Sequence, residues 1–384
     1  MAAGARRASV EERERLCFDF VRLCEIESPS LRERAVAEAV VGELRAAGLD
    51  VEEDLSAAAV GSDCGNLIVR IPGAEGARTV LLCAHLDTVP LAGPVNVQRD
   101  GGVFRNRNEA ILGADNKAAV AVLLGVARRL AAEGSPVGVE LLFTTAEELA
   151  LRGVKEVDRS TLASEFGFVF DHASPIGEVI VAAPTYYRIE ARFRGAAAHA
   201  GIRPEEGRSA IVAAARALTA MRLGRLDAGT TANAGVIEGG SAPNVVAEHA
   251  RVELEARSLD DAEAGRVVSD MVDACAEAAS EAGCDVETTV EQLFRAYRLP
   301  RTAAAVRVAT AALESMGIEP SYVPTGGGSD ANALIAAGMP MLNLANGTER
   351  NHQPDESVTV DALETMLDLA LALIDRCAAV EEGA

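Results

Sequence analysis

The chain has 384 residues, 49% of them hydrophobic and 24% charged, with a formal charge of -22. That length exceeds what one core usually fills, so two domains, or one with a large insertion, are expected. No run reaches the roughly 18 to 20 apolar residues of a membrane span, and so negative a chain opposes binding to nucleic acid or anionic membranes, which need a cationic surface to displace counterions.

The opening "MAAGARRASVEERERL" has two arginines but no apolar core, so it does not read as a secretory signal, and a cytoplasmic protein is expected. Residues 10 to 47 carry apolar positions at helical spacing and stop at Gly48, a plausible helix end. "GNLIVRIPG" and "TVLLCA" then read as strands, and "GADNKAAVAVLLGVARRLAAEGSP" as a helix with Asp115 near its start. The strands "GVELLFTT" and "FGFVF" follow. Fully apolar strands separated by helices indicate an α/β domain, with a mostly parallel sheet covered by helices on both faces. The seven cysteines are odd in number, scattered and without a CxxC pair, which argues against a disulfide framework or a thiolate zinc site.

Around residue 184 the pattern changes. "YYRIEARFRG" alternates apolar and polar, "EEGRSAIVAAARALTAMR" is amphipathic, "TANAGVIEGG" and "ARVELEARSLD" alternate again, "DAEAGRVVSDMVDACAEAASEAG" is helical and "DVETTVEQL" is a last strand. This strand-helix-strand-strand-helix-strand order is the split βαβ (ferredoxin-like) pattern. "MPMLNLAN" and the helix "VDALETMLDLALALIDRCAAV" return to the first texture. The expected organisation is a catalytic domain in two parts, 1-183 and 296-384, with an α+β domain inserted at 184-295.

Chemistry-bearing residues follow the buried strands. His85 and Asp87 follow "TVLLCA", Glu147 and Glu148 follow "GVELLFTT", Asp171 follows "FGFVF", and His352 follows "MPMLNLAN" at a short distance; Asp115 opens a helix of the same layer. In open parallel sheets ligands gather at the carboxyl ends of strands, so these residues are expected to be neighbours. Histidines and carboxylates without thiolates suit zinc, cobalt or manganese in a hydrolytic site. A carboxylate bridging two cations, with a histidine and an acid on each, needs five ligands, and His85, Asp115, Glu148, Asp171 and His352 supply that number. Asp87 is then free to orient His85, and Glu147 to act as general base.

"AHLDTVP", "GADNKAAVAVLL", "TTAEELALRGV", "FVFDHA", "AAAHAGIRPEEGRSAI", "TGGGSDANAL" and "NGTERNHQPDE" occur in order along nearly the whole chain. In these motifs the sequence resembles the dinuclear zinc peptidase family of peptidase T, carboxypeptidase G and acetylornithine deacetylase, and "GGGSDANAL" is most similar to the peptidase T branch. The resemblance implies two divalent ions per subunit, zinc first, with His85 and Asp171 on one, Glu148 and His352 on the other and Asp115 bridging. It implies Glu147 as base, Asp87 as the residue orienting His85, and the inserted domain as a lid that carries a homodimer contact. It further implies that His199 in "AAAHAG" meets the substrate carbonyl in the partner's site, and that Asn244 and Arg257 bind the substrate's carboxylate end. The function it implies is release of the N-terminal residue of tripeptides. An N-acyl amino acid deacylase or dipeptidase of the same family, or an inactive metal-binding scaffold, are the alternatives.

The chain departs from the family pattern at Ala150, where glycine is common, at His172, where a small residue is usual, and at Gln353, although Glu356 keeps its spacing. Taken singly, a strand-end histidine, a paired glutamate or a helix-opening aspartate is commonplace; Arg257 could be in a surface salt bridge. "GGGSDANAL" lacks the lysine of a P-loop and reads as a tight loop lining the substrate site. His249 reads as an exposed strand residue.

Overall fold

The structure is a computed structural model, and the residues it describes are 6–379. The first five residues of the opening segment, and Val380 in the expected closing helix, lie outside them. The chain divides into two compact units. Within the described residues the first takes in the chain up to Val181, Arg298–Pro324 and the part from Ser329 onward; the second takes in Ala182–Tyr297 and Thr325–Gly328.

The first unit opens with α1 (Val10–Cys24), started by a reciprocal cap: the Glu12 N–H donates to the Ser9 hydroxyl and the Ser9 N–H to the Glu12 carboxylate. The helical pattern over 10 to 47 resolves into two helices, because α2 (Arg34–Ala46) begins only after Ser28-Pro29-Ser30. Proline has no N–H to continue a helix, and the two serines bond elsewhere: the Ser28 hydroxyl to the Leu86 carbonyl at 2.9 Å and the Ser30 N–H to the Thr88 carbonyl at 3.1 Å. β1 (Val51–Glu53), β2 (Leu67–Ile71) and β3 (Thr79–His85) lead to α3 (Ala114–Glu133). Asp115 and Asn116 depart from helical geometry, and the peptide bond between them is cis. β4 (Gly138–Thr144), β5 (Phe166–His172) and β6 (Glu178–Ala183) follow.

In the second unit β7 (Thr185–Arg194), α4 (Ala210–Ala220), β8 (Thr230–Gly239), β9 (His249–Ser258), α5 (Asp261–Glu281) and β10 (Asp285–Phe294) occur in the split βαβ order. The strands form an antiparallel sheet in the order β8-β9-β7-β10. On β9 every second residue, Ala250 to Ser258, is buried, as a sheet with one covered face requires. Ile189, Phe193, Val252 and Leu254 pack with Ala213, Ala217, Met271 and Cys275 of the helices. Arg188, Arg192 and Arg251 pair with glutamates of the same sheet, Glu291, Glu190 and Glu238 among them. The expectation places "GGG" with the flanking domain; Thr325–Gly328 instead groups with this unit, because Gly328 packs on Phe294 with no room for a Cβ and the Gly326 carbonyl accepts from Arg257 at 3.3 Å.

The chain returns to the first unit as α6 (Ala304–Ser315), α7 (Asp330–Ala336), β11 (Met341–Ala345) and α8 (Val360–Ala379). The first unit's sheet runs β1-β2-β4-β3-β5-β11-β6. The central pairings β4-β3, β3-β5 and β5-β11 are parallel, and β1-β2, β2-β4 and β11-β6 are antiparallel. β4 is buried along its whole length, which requires helices on both faces. Phe20, Leu124, Phe143, Phe168 and Leu371 belong to one core. No helix among the described residues is long and apolar enough to cross a membrane, and all seven cysteines are free.

Gly167 lies on the central strand β5, where a Cβ would come within 2.7 Å of the Leu81 carbonyl and 2.8 Å of the Met341 sulfur. Gly167→Val is expected to lose about 3 kcal/mol by overpacking, read as a lower urea midpoint at unchanged slope.

Candidate active site

Parallel strands place their carboxyl ends along one edge of the sheet, and the polar residues after them meet there. His85 Nε2 lies 3.3 Å from Asp115 Oδ1 and 3.7 Å from Asp171 Oδ1. His352 Nε2 lies 3.3 Å from Asp115 Oδ2 and 2.8 Å from Glu148 Oε1. Asp115 thus faces one histidine with each oxygen. The donor atoms of His85, Asp115 and Asp171 lie within 4.8 Å of one another, as do those of Asp115, Glu148 and His352, and those of His85, Glu147 and Glu148. Asn343 of β11 fixes Asp171 by clamping its backbone from both sides, N–H and carbonyl, at 3.0 Å each. His352 sits at φ +64, a strained conformation for a residue with a Cβ.

Asp87 is wholly buried. His85 Nδ1 lies 3.0 Å from the Asp87 carbonyl oxygen and 3.3 Å from Oδ1. The carboxylate also accepts the Glu147 N–H at 3.0 Å, the Glu148 N–H at 3.1 Å and the Ser30 hydroxyl at 2.6 Å. The residue read as orienting His85 therefore fastens both glutamates as well.

The charges are crowded. Burial, then the neighbouring Asp171, push Glu147 well above the usual carboxylate range. Burial pushes Asp171 up to about 8. His352 is raised to about 10 by its bonds to Asp115 and Glu148. Burial opposes protonation of His85, but its bonds to Asp115, Asp171 and Asp87 outweigh that and raise it. Asp115, Asp171 and Glu148 face these two imidazoles, and divalent cations would supply the positive charge that so many acids need. Its oxygen and nitrogen donors suit such ions, and the residues fit a metal.

Comparison with known proteins follows the same lines. The profile of peptidase family M20/M25/M40 matches residues 81–376. The chain belongs to this family. The crystal structure of aminopeptidase PepT from Bacillus cereus is 35% identical and covers 95% of this chain and 99% of its own, with a TM-score of 0.85. That of a Staphylococcus aureus tripeptidase is 33% identical and covers 96% and 99%, with a TM-score of 0.90. YqjE of Bacillus subtilis, an uncharacterized protein, is 33% identical over 366 residues, 95% of this chain and 99% of its own. This M20 peptidase lies in the peptidase T-like branch, and the family is metal-dependent.

His199, Asn244 and Arg257 lie in the second unit. His199 and Asn244 are exposed neighbours: His199 bridges to Val245, and the Asn244 carbonyl accepts the Ala200 N–H at 3.0 Å. Arg257 stacks on Tyr186, 4.1 Å from the ring centroid, and bonds Glu255 at 3.2 Å. Ala150 takes φ +66, the conformation glycine adopts freely, so the turn keeps a glycine-type geometry without glycine. His172 is half-buried, and burial lowers its basicity. Gln353 is exposed, as is His249 at the start of β9.

Sequence reading missed the role of two acids. Asp330, at the start of α7, is buried and accepts the Thr144 hydroxyl at 2.5 Å and the Cys83 thiol at 3.4 Å. The Glu356 carboxylate accepts three N–H groups, of Leu112 at 2.8 Å, Gly113 at 2.7 Å and Asp115 at 2.9 Å. The available signals were "GGGSDANAL" for Asp330 and the spacing from His352 for Glu356. Since Glu356 shapes the turn that presents Asp115, Glu356→Ala is expected to weaken metal binding by roughly 10- to 100-fold, measured by chelator competition.

Proposed function

We propose that this M20 peptidase releases the N-terminal residue of tripeptides with two divalent ions, zinc first, and Glu147 as general base. The observation that carries the reading is the single carboxylate, Asp115, facing both histidines through separate oxygens, with Glu147 buried beside His85. His85 and Asp171 would hold one ion, Glu148 and His352 the other, and Asp115 both. When bound, the ions supply Lewis acidity and make a water easier to deprotonate.

The remaining work falls to side chains. Glu147, buried beside His85, takes the proton of the attacking water and passes it to the leaving amine. Asp87 orients His85 and holds the Glu147 backbone. In this proposal the second unit is a lid: His199 donates, in the partner subunit's site, to the carbonyl oxygen as it gains charge, and Asn244 and Arg257 bind the substrate's carboxylate. A homodimer through the second unit, working in the cytoplasm, completes it.

Free tripeptides, dipeptides and N-acyl amino acids, incubated with zinc-, cobalt- or manganese-loaded protein and read by mass spectrometry, test the substrate. Release of the first residue from tripeptides is expected; cleavage of N-acyl substrates alone would move the protein to the deacylases, and no cleavage of any would favour the scaffold. Glu147→Ala is expected to keep its metal and lose roughly 10²- to 10⁴-fold in kcat. Asp115→Ala is expected to lose metal as well, measured by elemental analysis after gel filtration.

A further inference from the structure

Glu33 stands immediately before α2, where an acid ordinarily serves the helix it precedes. Its side chain makes no bond to that helix. It is wholly buried. One oxygen, Oε1, accepts two backbone N–H groups, from Leu31 and from Ala146, each at 2.9 Å, and Oε2 accepts the Ser62 hydroxyl at 2.7 Å. Leu31 and Ala146 share an unusual property: both have a Cβ and both sit in the left-handed region, at φ +73 and φ +49. Such conformations persist only where surrounding bonds over-determine them.

Ala146 is the residue before Glu147, and its bend turns the chain from β4 into the active site. Four successive N–H groups there end on side chains: Thr145 on Asn66 at 3.1 Å, Ala146 on Glu33, Glu147 and Glu148 on Asp87. Ser30 ties Asp87 to the turn that leads into Glu33. We infer that Glu33 is a positioning residue for the general base: by holding the N–H of the left-handed Ala146 it sets where the Glu147 carboxylate reaches. The inference rests on Glu147 being the base. Its chemistry requires an acceptor oxygen of the right reach and not a negative charge, because the Ser62 hydroxyl can rotate to accept from an amide NH₂.

The test compares Glu33→Gln, Glu33→Asp, Glu33→Ala and Glu147→Ala in the full-length metal-loaded enzyme, with a free tripeptide. Three readouts are taken: kcat and KM, bound metal, and amide hydrogen exchange of fragments spanning the Ala146 turn. Glu33→Gln is expected to stay near the parent in all three. Glu33→Asp, which keeps the charge and loses the reach, is expected to drop kcat by roughly 10²-fold at unchanged KM and metal content, with faster exchange in the turn; Glu33→Ala behaves alike if it folds. Parent-like kcat and exchange in Glu33→Asp would overturn the inference. So would loss of kcat in Glu33→Gln equal to that in Glu33→Asp, which would show that an acceptor oxygen of the right reach is not sufficient. An active Glu147→Ala would overturn the base assignment itself, whatever the Glu33 variants do.

Discussion

The Asp87 carboxylate accepts the N–H groups of both Glu147 and Glu148 while the same residue engages His85, and the site's geometry follows from this one set of bonds. A buried acceptor is costly to leave unpaired, so these bonds persist. They fix the direction in which two neighbouring acids leave the backbone. Glu148 is thereby brought to His352, and Glu147 to the side of His85.

The sheet supplies what a single anchor cannot. Its central strands are parallel, so β3, β4, β5 and β11 deliver their residues to one edge, and the antiparallel strands lie outside this group. β4 is buried from end to end and mostly apolar, and the Glu140 it carries is satisfied by the Ala163 and Ser164 N–H groups. Asn343 is a similar exception, a polar residue inside the apolar strand β11, and it earns its place by clamping the Asp171 backbone.

The layers, the strand ends and the residues that meet there were legible in the sequence because hydrophobic period and strand termination are local signals. "TVLLCAH" announces a buried strand and its polar terminus within seven letters. The break between α1 and α2 was less legible: the helical period passes through Ser28-Pro29-Ser30 almost undisturbed, and the bonds from this segment to Leu86 and Thr88 are non-local. Glu33, and the bonds that Glu356 makes, were opaque for a deeper reason. Each acid accepts backbone N–H groups from segments more than a hundred residues away, and in the sequence such an acid looks like any solvated glutamate. Backbone conformation was equally hidden at Ala146, Ala150 and His352, where residues with a Cβ take a geometry that composition reserves for glycine.

Asp115 meets His352 across more than half the chain, and the turn beneath Asp115 is shaped by Glu356. Contacts of such long separation form late, after the entropy of closing large loops has been overcome. During synthesis the ribosome extrudes Asp115, Glu147 and Asp171 well before their last partners, so a nascent chain carries most of its acids with no assembled donor set. The donor set therefore cannot assemble before the segment that carries His352 has been made.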